Sequence, residues 1–470
     1  GADVDYVVPH RIKDGYGINE HLIDNAYDEG VDTIVTCDNG IAAIEQINYG
    51  IDKGMTIIVT DHHDIPFSYD ENENKIYKSS RANAIVDPKQ AECDYPFELL
   101  CGAGVAYKFV SVLYDRLELD KADMEDYAEF MAIATIGDVV DLKNENRVIV
   151  KYGLKHIAHT KNKGLRALIE VCQLDITQLS AYHIGFIIGP CLNASGRLET
   201  AKEAIELFLS DDIADSYSRA TRLKQLNDER KQMTEDESQK AIEMVETSDM
   251  IDDNVLVVYL PDCHESIAGI IAGRLREKFY KPVLVITNAE EGAKGSGRSI
   301  DGYNMFEEIS KCADLLTKFG GHPMAAGLSL PIENIDEFRR RLNINQRLTD
   351  KELTPVVWID VPMPVSYVTM ELVEQLKVLE PFGKGNEKPI FADKNLVVKS
   401  ARLIGKNSNV LKMQLESNDG RVVDAIMFHV VDEVIPFKGD SISMVYYPDI
   451  NEYNGRKSLQ FVVQEWQFCK

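Results

Sequence analysis

Hydrophobic positions in the first hundred residues follow two periods. Asp32–Thr36, Met55–Val59 and Asn83–Val86 are short β-branched runs that read as strands, the second buried on both faces. Between the first two runs, Ile41, Ile44, Ile47 and Ile51 recur at near-helical spacing and predict an amphipathic helix. Strand, helix and strand at this spacing form one βαβ crossover, which makes the two strands parallel neighbours. Asp3–Pro9 also reads as a strand, and Ser68–Lys78 as a polar loop. Helices are predicted over Phe97–Leu119, Tyr127–Ile136, Tyr152–Val171 and Gln178–Ile188. Asp212–Thr247 is long, polar and free of Gly and Pro, which predicts an exposed helix bridging two domains.

A second strand–helix–strand series follows: Val255–Tyr259, Ile267–Phe279 and Lys281–Ile286. Near Thr354-Pro355 the character changes again. A helix over Met370–Leu379 precedes the short alternating runs Leu396–Arg402, Val410–Glu416, Val422–Phe428, Ser441–Tyr446 and Leu459–Val463. Short strands separated by turn signals suggest a small barrel of the oligonucleotide-binding type. Tyr446, Tyr447, Tyr453, Lys406, Lys412, Arg456 and Lys457 could give it stacking and backbone contacts. The expected architecture is α/β, with a parallel-sheet domain (1–205), a connecting helix (206–250), a second α/β domain (251–350) and a barrel with its preceding helix (351–470).

Composition narrows the function classes. A chain of 470 residues needs more than one core, and 44% hydrophobic with 27% charged residues is that of a soluble globular protein. No uninterrupted apolar segment is long enough to span a bilayer, so no membrane partner is expected. The eight cysteines form no Cys-x-x-Cys pair, which fits reduced thiols in a cytoplasmic protein. A net charge of −26 excludes indiscriminate binding to polyanions but leaves room for a local basic groove.

The candidate chemistry lies where the strands end. The run at Met55 stops at Asp61-His62-His63-Asp64, and Pro66 prevents its continuation. The preceding strand stops at Cys37-Asp38-Asn39-Gly40. In a parallel pair both sets project from the carboxyl edge, where open α/β sheets bind ligands, and carboxylate with imidazole suits a divalent transition metal. Asp138 follows a helix-terminal glycine in an apolar setting, where a carboxylate needs a metal, a cap role or a partner such as Arg147. Gly189–Arg197 is either a loop presenting Asn193 and Arg197 to phosphate or a connection between helices. Lys294-Gly295-Ser296-Gly297-Arg298-Ser299 is small, basic and hydroxyl-bearing, and Arg298 suits a phosphate. His322 sits among small residues, which suits either close approach to a ligand or tight packing.

Thr36–Gly40, Thr60-Asp61-His62-His63 and Gly137-Asp138-Val139-Val140 together resemble the metal motifs of the DHH phosphoesterase superfamily. Val8–Gly17, Gly189–Arg197, His264-Glu265-Ser266, Gly295–Ser299, Gly320-Gly321-His322 and Leu379–Asn386 follow in an order similar to its single-strand-specific exonucleases. The resemblance covers nearly the whole chain. It implies a DHH domain, a DHH-associated domain and an OB-fold. It further implies 5′-to-3′ hydrolysis of single-stranded DNA in repair and recombination, with two Mn²⁺ (or Mg²⁺) ions. Asp38 would bridge the ions, with His62 and Asp138 as further ligands, Asp61 orienting the site and His63 on the scissile phosphate. Ser296, Arg298 and His322 would hold substrate phosphates, with Asn193, Arg197, His264 and Ser299 also on the substrate side. Implied partners are a DNA strand with a 5′ end, a RecQ-type helicase and a single-strand-binding protein. The rival readings are a relative cleaving short oligonucleotides, cyclic dinucleotides or pyrophosphate, and a catalytically silent DNA-binding scaffold. The terminal barrel speaks against the first, and the intact Asp38, His62, His63 and Asp138 against the second. The family's first motif, an Asp-x-Asp segment, is expected upstream of Gly1. Without it, the expectation is a chain that binds single strands but hydrolyses them poorly.

Overall fold

Strand β1 (Thr33–Val35) pairs in parallel with β2 (Thr56–Thr60), and β2 with β3 (Ala84–Val86), giving the order β1-β2-β3. These coordinates are a computed structural model that describes residues 2–9, 17–72, 74–198, 200–405, 408–428, 430, 434–453 and 455–469. Ile57 and Val59 of β2 are fully buried and form a core with Ile23, Ile47 and Met55. Helix α1 (Glu20–Asp28) supplies Ile23, and α2 (Ile44–Asp52) supplies Ile47. Gly50 lets α2 lie flat on β2, since a Cβ there would stand 2.5 Å from Ile57 Cδ1. Residues 2–9 form no strand and leave Val4 and Val7 exposed, contrary to the alternating pattern. The expected polar loop near residue 70 contains a hairpin, Phe67–Tyr69 against Lys75–Tyr77, stitched by edge-on contacts from Phe67 to Tyr69 and Tyr77.

The chain divides into two compact units: Gly1–Ala91 with Ile157–Leu179 and His183–Val356, and Glu92–His156 with Ser180–Tyr182 and Val357–Lys470. In the first unit a long helix, α3 (Ile213–Glu246), begins at an Asp212 cap whose carboxylate accepts the Asp215 N–H. Its 34 residues span about 51 Å at ~1.5 Å per residue. It is not exposed on every side. Ser216, Ala220, Leu223, Asn227, Thr234, Ser238, Ala241 and Val245 form a continuous buried stripe. Six of those eight residues are small or polar, so their hydropathy hides the stripe. The segment Gly189–Leu198 is likewise a helix rather than a loop. It continues from a π-helical stretch, Ile184–Ile188, that ends just before Pro190, and Ala194 and Ser195 pack inward.

The second sheet has the order β4 (Leu256–Tyr259), β5 (Val283–Asn288), β6 (Ala293–Arg298), β8 (Ala325–Leu330), β7 (Lys318–His322). Only β4 and β5 are parallel. Both faces are buried: Val257, Leu284 and Ile286 enter one core, while Leu256, Val258, Val283 and Val285 enter the other.

In the second unit β9 (Phe391–Ile404), β10 (Val410–Glu416), β11 (Val422–Phe428), β12 (Ser441–Tyr453) and β13 (Arg456–Phe468) pair in the order β9-β10-β11-β13-β12. A further β9–β12 ladder returns the sheet to its first strand, which closes the barrel. Tyr446 is not a stacking residue. It is fully buried between Phe391 and Phe461, and its hydroxyl donates to Met363 O at 2.7 Å. Lys406 and the Tyr453 side chain lie outside the described residues, as do residues 10–16 of the first matching segment.

Gly164 tests the packing of the first unit. A Cβ there would stand 1.9 Å from Leu207 O, a backbone atom that cannot swing aside. Gly164→Ala should cost about 3 kcal/mol or more. A urea midpoint unchanged from the parent would contradict this packing.

Candidate metal centre

The backbone ladder of the first sheet runs past its strands and carries the site with it. Asp38 N donates to Thr60 O at 3.0 Å, and Asp61 N to Val86 O at 3.1 Å. The loops after β1 and β2 are therefore held side by side at the carboxyl edge. Asp38 has φ +62°, a left-handed conformation that Asp tolerates better than most residues. Gly40 (φ +116°) completes the turn, and a Cβ there would press Thr36 Oγ1 at 3.0 Å and Val59 Cγ1 at 3.1 Å.

Asp38 Oδ1 lies 3.0 Å from His62 Nε2, with the carboxylate half-exposed and the ring buried. The Asp61 carboxylate is buried and accepts from Ile41 N at 2.9 Å, His62 N at 2.8 Å and His63 N at 3.3 Å. His63 Nδ1 stands 2.6 Å from the same carboxylate, which fixes the proton on Nδ1. Burial raises the Asp61 pKa, but His63 and the backbone donors outweigh it and hold the group below its usual value. Donor atoms of Asp38, His62 and His63 all lie within 4.8 Å of one another, a set that fits a divalent ion. His63 thus shares the cluster, although its motif gave it a phosphate role.

The sequence reading passed over Asp87. It ends β3 as Asp38 and Asp61 end their strands, and the following Pro88 made it read as a simple stop. Its carboxylate is buried, Oδ1 accepts from Lys89 N at 2.8 Å, and Oδ2 has no hydrogen-bond partner among the described residues. Burial, with the Asp61 charge nearby, pushes its pKa up to about 6. Asp64, by contrast, is held low mainly by the Lys89 ammonium at 2.8 Å, with His322 and His63 contributing.

Asp138 belongs to the second unit. It caps the helix Ala128–Gly137 and is exposed, not buried in an apolar setting. Arg147 turns its guanidinium to backbone carbonyls of residues 378–380.

The phosphate candidates gather in the first unit around α4 (Glu265–Phe279). His264 caps this helix, and its Nδ1 lies 2.7 Å from Ser266 Oγ. Arg197 Nη1 donates to Ser266 O at 2.8 Å. A Cβ on Gly269 would stand 2.8 Å from Ser296 Oγ and 2.9 Å from Arg298 Nη2, so this glycine makes room for both. Ala325 is in register with Arg298 on one side and His322 on the other, which turns both side chains to one face. Asn193 is exposed on its helix. Ser299 does not face a substrate: it is fully buried and donates to Tyr303 O at 2.6 Å.

Family models match residues 1–135 (DHH family, N-terminal domain), 252–345 (DHHA1 domain) and 359–465 (RecJ OB domain). The single-stranded-DNA-specific exonuclease RecJ of Escherichia coli is 32% identical over 98% of this chain and 82% of its own length. The chain belongs to the RecJ family. The Bacillus subtilis RecJ is 36% identical over 99% of this chain, which spans 58% of that relative's length. The RecJ structure from Thermus thermophilus in complex with Mn²⁺ superposes with a TM-score of 0.80 at 25% identity, covering 97% of this chain and 64% of that one. A second RecJ structure from the same organism holds Mg²⁺ and gives a TM-score of 0.75 over 96% of this chain and 65% of that one. The Asp38-His62-His63 donor set accords with those ions.

Asp87 gives the site a pH signature. Its folded pKa of about 6 lies above the ordinary 3.8, so its destabilising charge is absent below pH 3.8 and complete above about 6. In chelator-treated protein, Asp87→Asn should raise the melting temperature at pH 8, with the gain shrinking towards pH 4.5. An equal gain at both pH values would show that the carboxylate is not buried in charged form.

Proposed function

We propose that this chain is the catalytic and strand-binding part of a 5′-to-3′ exonuclease specific for single-stranded DNA, acting in repair and recombination. The Asp38-His62-His63 cluster carries the reading, since it offers carboxylate and imidazole donors within 4.8 Å. Asp38 and His62 are the residues that would hold Mn²⁺, with Mg²⁺ as the alternative. For Asp138 the ligand role rests on its family motif. When bound, two such ions supply an activated water and stabilise the leaving oxygen of phosphodiester hydrolysis.

The protein's own residues do the rest. Asp61 fixes the His63 ring so that its Nε2 edge can meet a phosphate oxygen. Ser296, Arg298 and His322 on one sheet face, with Arg197 and His264 near the start of α4, hold phosphates of the incoming strand. Arg donates to phosphate and is repelled by cations, so these side chains bind substrate and not the ions. The barrel binds single strand, which a very short substrate would not need. Among the described residues no helix is long and apolar enough to cross a membrane. A cytoplasmic enzyme fed by a RecQ-type helicase and a single-strand-binding protein fits this reading.

The test uses 5′-phosphorylated single strands with Mn²⁺. Asp38→Ala should reduce hydrolysis to background with unchanged circular dichroism. Substantial metal-dependent activity in that variant would sink the metal assignment. Arg298→Ala should weaken strand binding about 10-fold at low salt and reduce the salt slope by about 0.7, the share of one neutralised phosphate. Unchanged affinity and slope would remove Arg298 from the substrate path.

A further inference from the structure

The segment Leu379–Asn386 takes no part in the metal cluster or the phosphate face, yet it is built as closely as either. Gly383 and Asn386 exchange two backbone hydrogen bonds of 3.0 Å. The Asn386 side chain donates to Leu379 O at 2.9 Å and Pro381 O at 2.8 Å, which ties the loop into a closed ring. Gly385 has φ +73°, and its N–H donates to Glu387 Oε1 at 2.9 Å. The loop leads into β9, and the ammonium of Lys388 lies 3.8 Å from the centre of the Tyr447 ring on β12.

This ring is clamped onto the stretch that carries Asp138. Leu142 N donates to Lys384 O at 2.7 Å. Arg147 Nη2 lies 3.1 Å from Val378 O, 3.0 Å from Leu379 O and 3.4 Å from Glu380 O. Lys384 and Lys143 both face the Asp141 carboxylate, at 3.6 and 3.1 Å, and hold its pKa below the usual value. A Cβ on Gly383 would stand 2.7 Å from Leu142 Cδ1, and one on Gly385 3.0 Å from Asp141 Cγ. A side chain at either position would press on Leu142 or Asp141, and Gly385 also needs its positive φ.

What is clamped has reason to need it. Val139, directly after Asp138, has φ +56°. A β-branched side chain in that region costs about 1–3 kcal/mol and persists only where its surroundings over-determine it. Local support comes from Asn146, fully buried, which donates to Asp141 O at 3.0 Å and Leu99 O at 2.5 Å. That side chain fixes the turn from its own helix, and the 378–386 ring fixes it from the barrel side.

We infer that the Leu379–Asn386 ring and Arg147 are positioning elements for Asp138, through which the barrel domain sets a metal-motif carboxylate. The inference rests on the ligand reading of Asp138. Arg147 touches no reacting group; it acts by holding the carbonyls of Val378, Leu379 and Glu380, at the start of the ring, against the helix that follows the Asp138 turn.

The experiment measures Mn²⁺ affinity by titration calorimetry, and single-strand affinity in chelator, for the protein and for Asp138→Asn, Arg147→Ala, Arg147→Lys and Asn386→Ala. Asp138→Asn should weaken Mn²⁺ binding. Arg147→Ala should weaken it about 10-fold, the effect of losing a group that orients a ligand, with strand affinity within about 2-fold. Arg147→Lys should recover part of the loss, since one ammonium can still reach a carbonyl. Asn386→Ala, which loosens the ring without touching the helix, should act in the same direction and replaces Arg147→Ala if that variant does not fold. If Asp138→Asn weakens Mn²⁺ binding while Arg147→Ala and Asn386→Ala do not, the positioning role is overturned and the ligand reading stands. If Asp138→Asn itself leaves Mn²⁺ affinity unchanged, the ligand reading fails and takes the inference with it.

Discussion

The buried carboxylate of Asp61 is the constraint on which the metal edge depends. Burial alone would drive it towards the neutral acid, but Ile41 N, His62 N, His63 N and the His63 ring all lie within hydrogen-bonding distance of its two oxygens. The ring and the backbone donors together outweigh desolvation, so the group stays ionised. The geometry matters as much as the charge. Ile41 closes the loop after β1, while His62 and His63 open the loop after β2, so one side chain staples both loops. The 3.0 Å approach of Asp38 to His62 follows from that staple. A neutral side chain could replace some of these hydrogen bonds but not the charge that holds the His63 proton on Nδ1.

To take up a polyanion, as proposed, an acidic chain would have to concentrate its cations. The net charge of −26 repels nucleic acid from most of the surface. Many basic residues are already engaged: Lys89 with Asp64, Arg219 with Asp215 and Glu203, Arg339 with Asp253, Arg341 with Asp314. Arg298 donates to Gly297 O and Arg197 to Ser266 O, which orients both guanidinium groups. Bound divalent ions would add positive potential at the edge where Asp38 and Asp61 would otherwise repel the substrate.

Much of this was legible in the sequence, and the gaps have physical causes. Val410–Glu416 and Val422–Phe428 fall on strands with those bounds because their alternation is complete and their turns are sharp. The shared edge of Asp38 and His62 followed from the βαβ crossover alone, and β1 and β2 are parallel neighbours. Periodicity reports which face is buried only when that face is apolar. It therefore missed the stripe of Ser216, Asn227, Thr234 and Ser238 along α3, where partner helices cover small and polar side chains. It also could not rank two tyrosines side by side: Tyr446 is core, while Tyr447 is only partly buried beneath Lys388. Asp87 had a usable signal, being the third acidic residue in a row to end a parallel strand, but Asp-Pro reads as a stop wherever it occurs. Ser299 sat in the right motif and the wrong orientation, because the pleat turns it inward beside Arg298.

Both candidate metal aspartates sit where an element ends in a left-handed turn. Asp38 itself has φ +62°, and Val139 after Asp138 has φ +56°. Neither turn is specified by its own neighbours, since each costs conformational energy locally. Each is specified by hydrogen bonds from residues distant in sequence: Thr60 O and the Asp61 staple for the first, Lys384 O and the Arg147 clamp for the second. A carboxylate placed in this way is set by tertiary structure rather than by local propensity. Its position is then only as firm as the remote contact, and that contact lies on β2 and β3 for one aspartate and on the segment leading into the barrel for the other. Each aspartate is therefore placed by contacts outside its own motif, which is why short motifs can name these residues but cannot say what aims them.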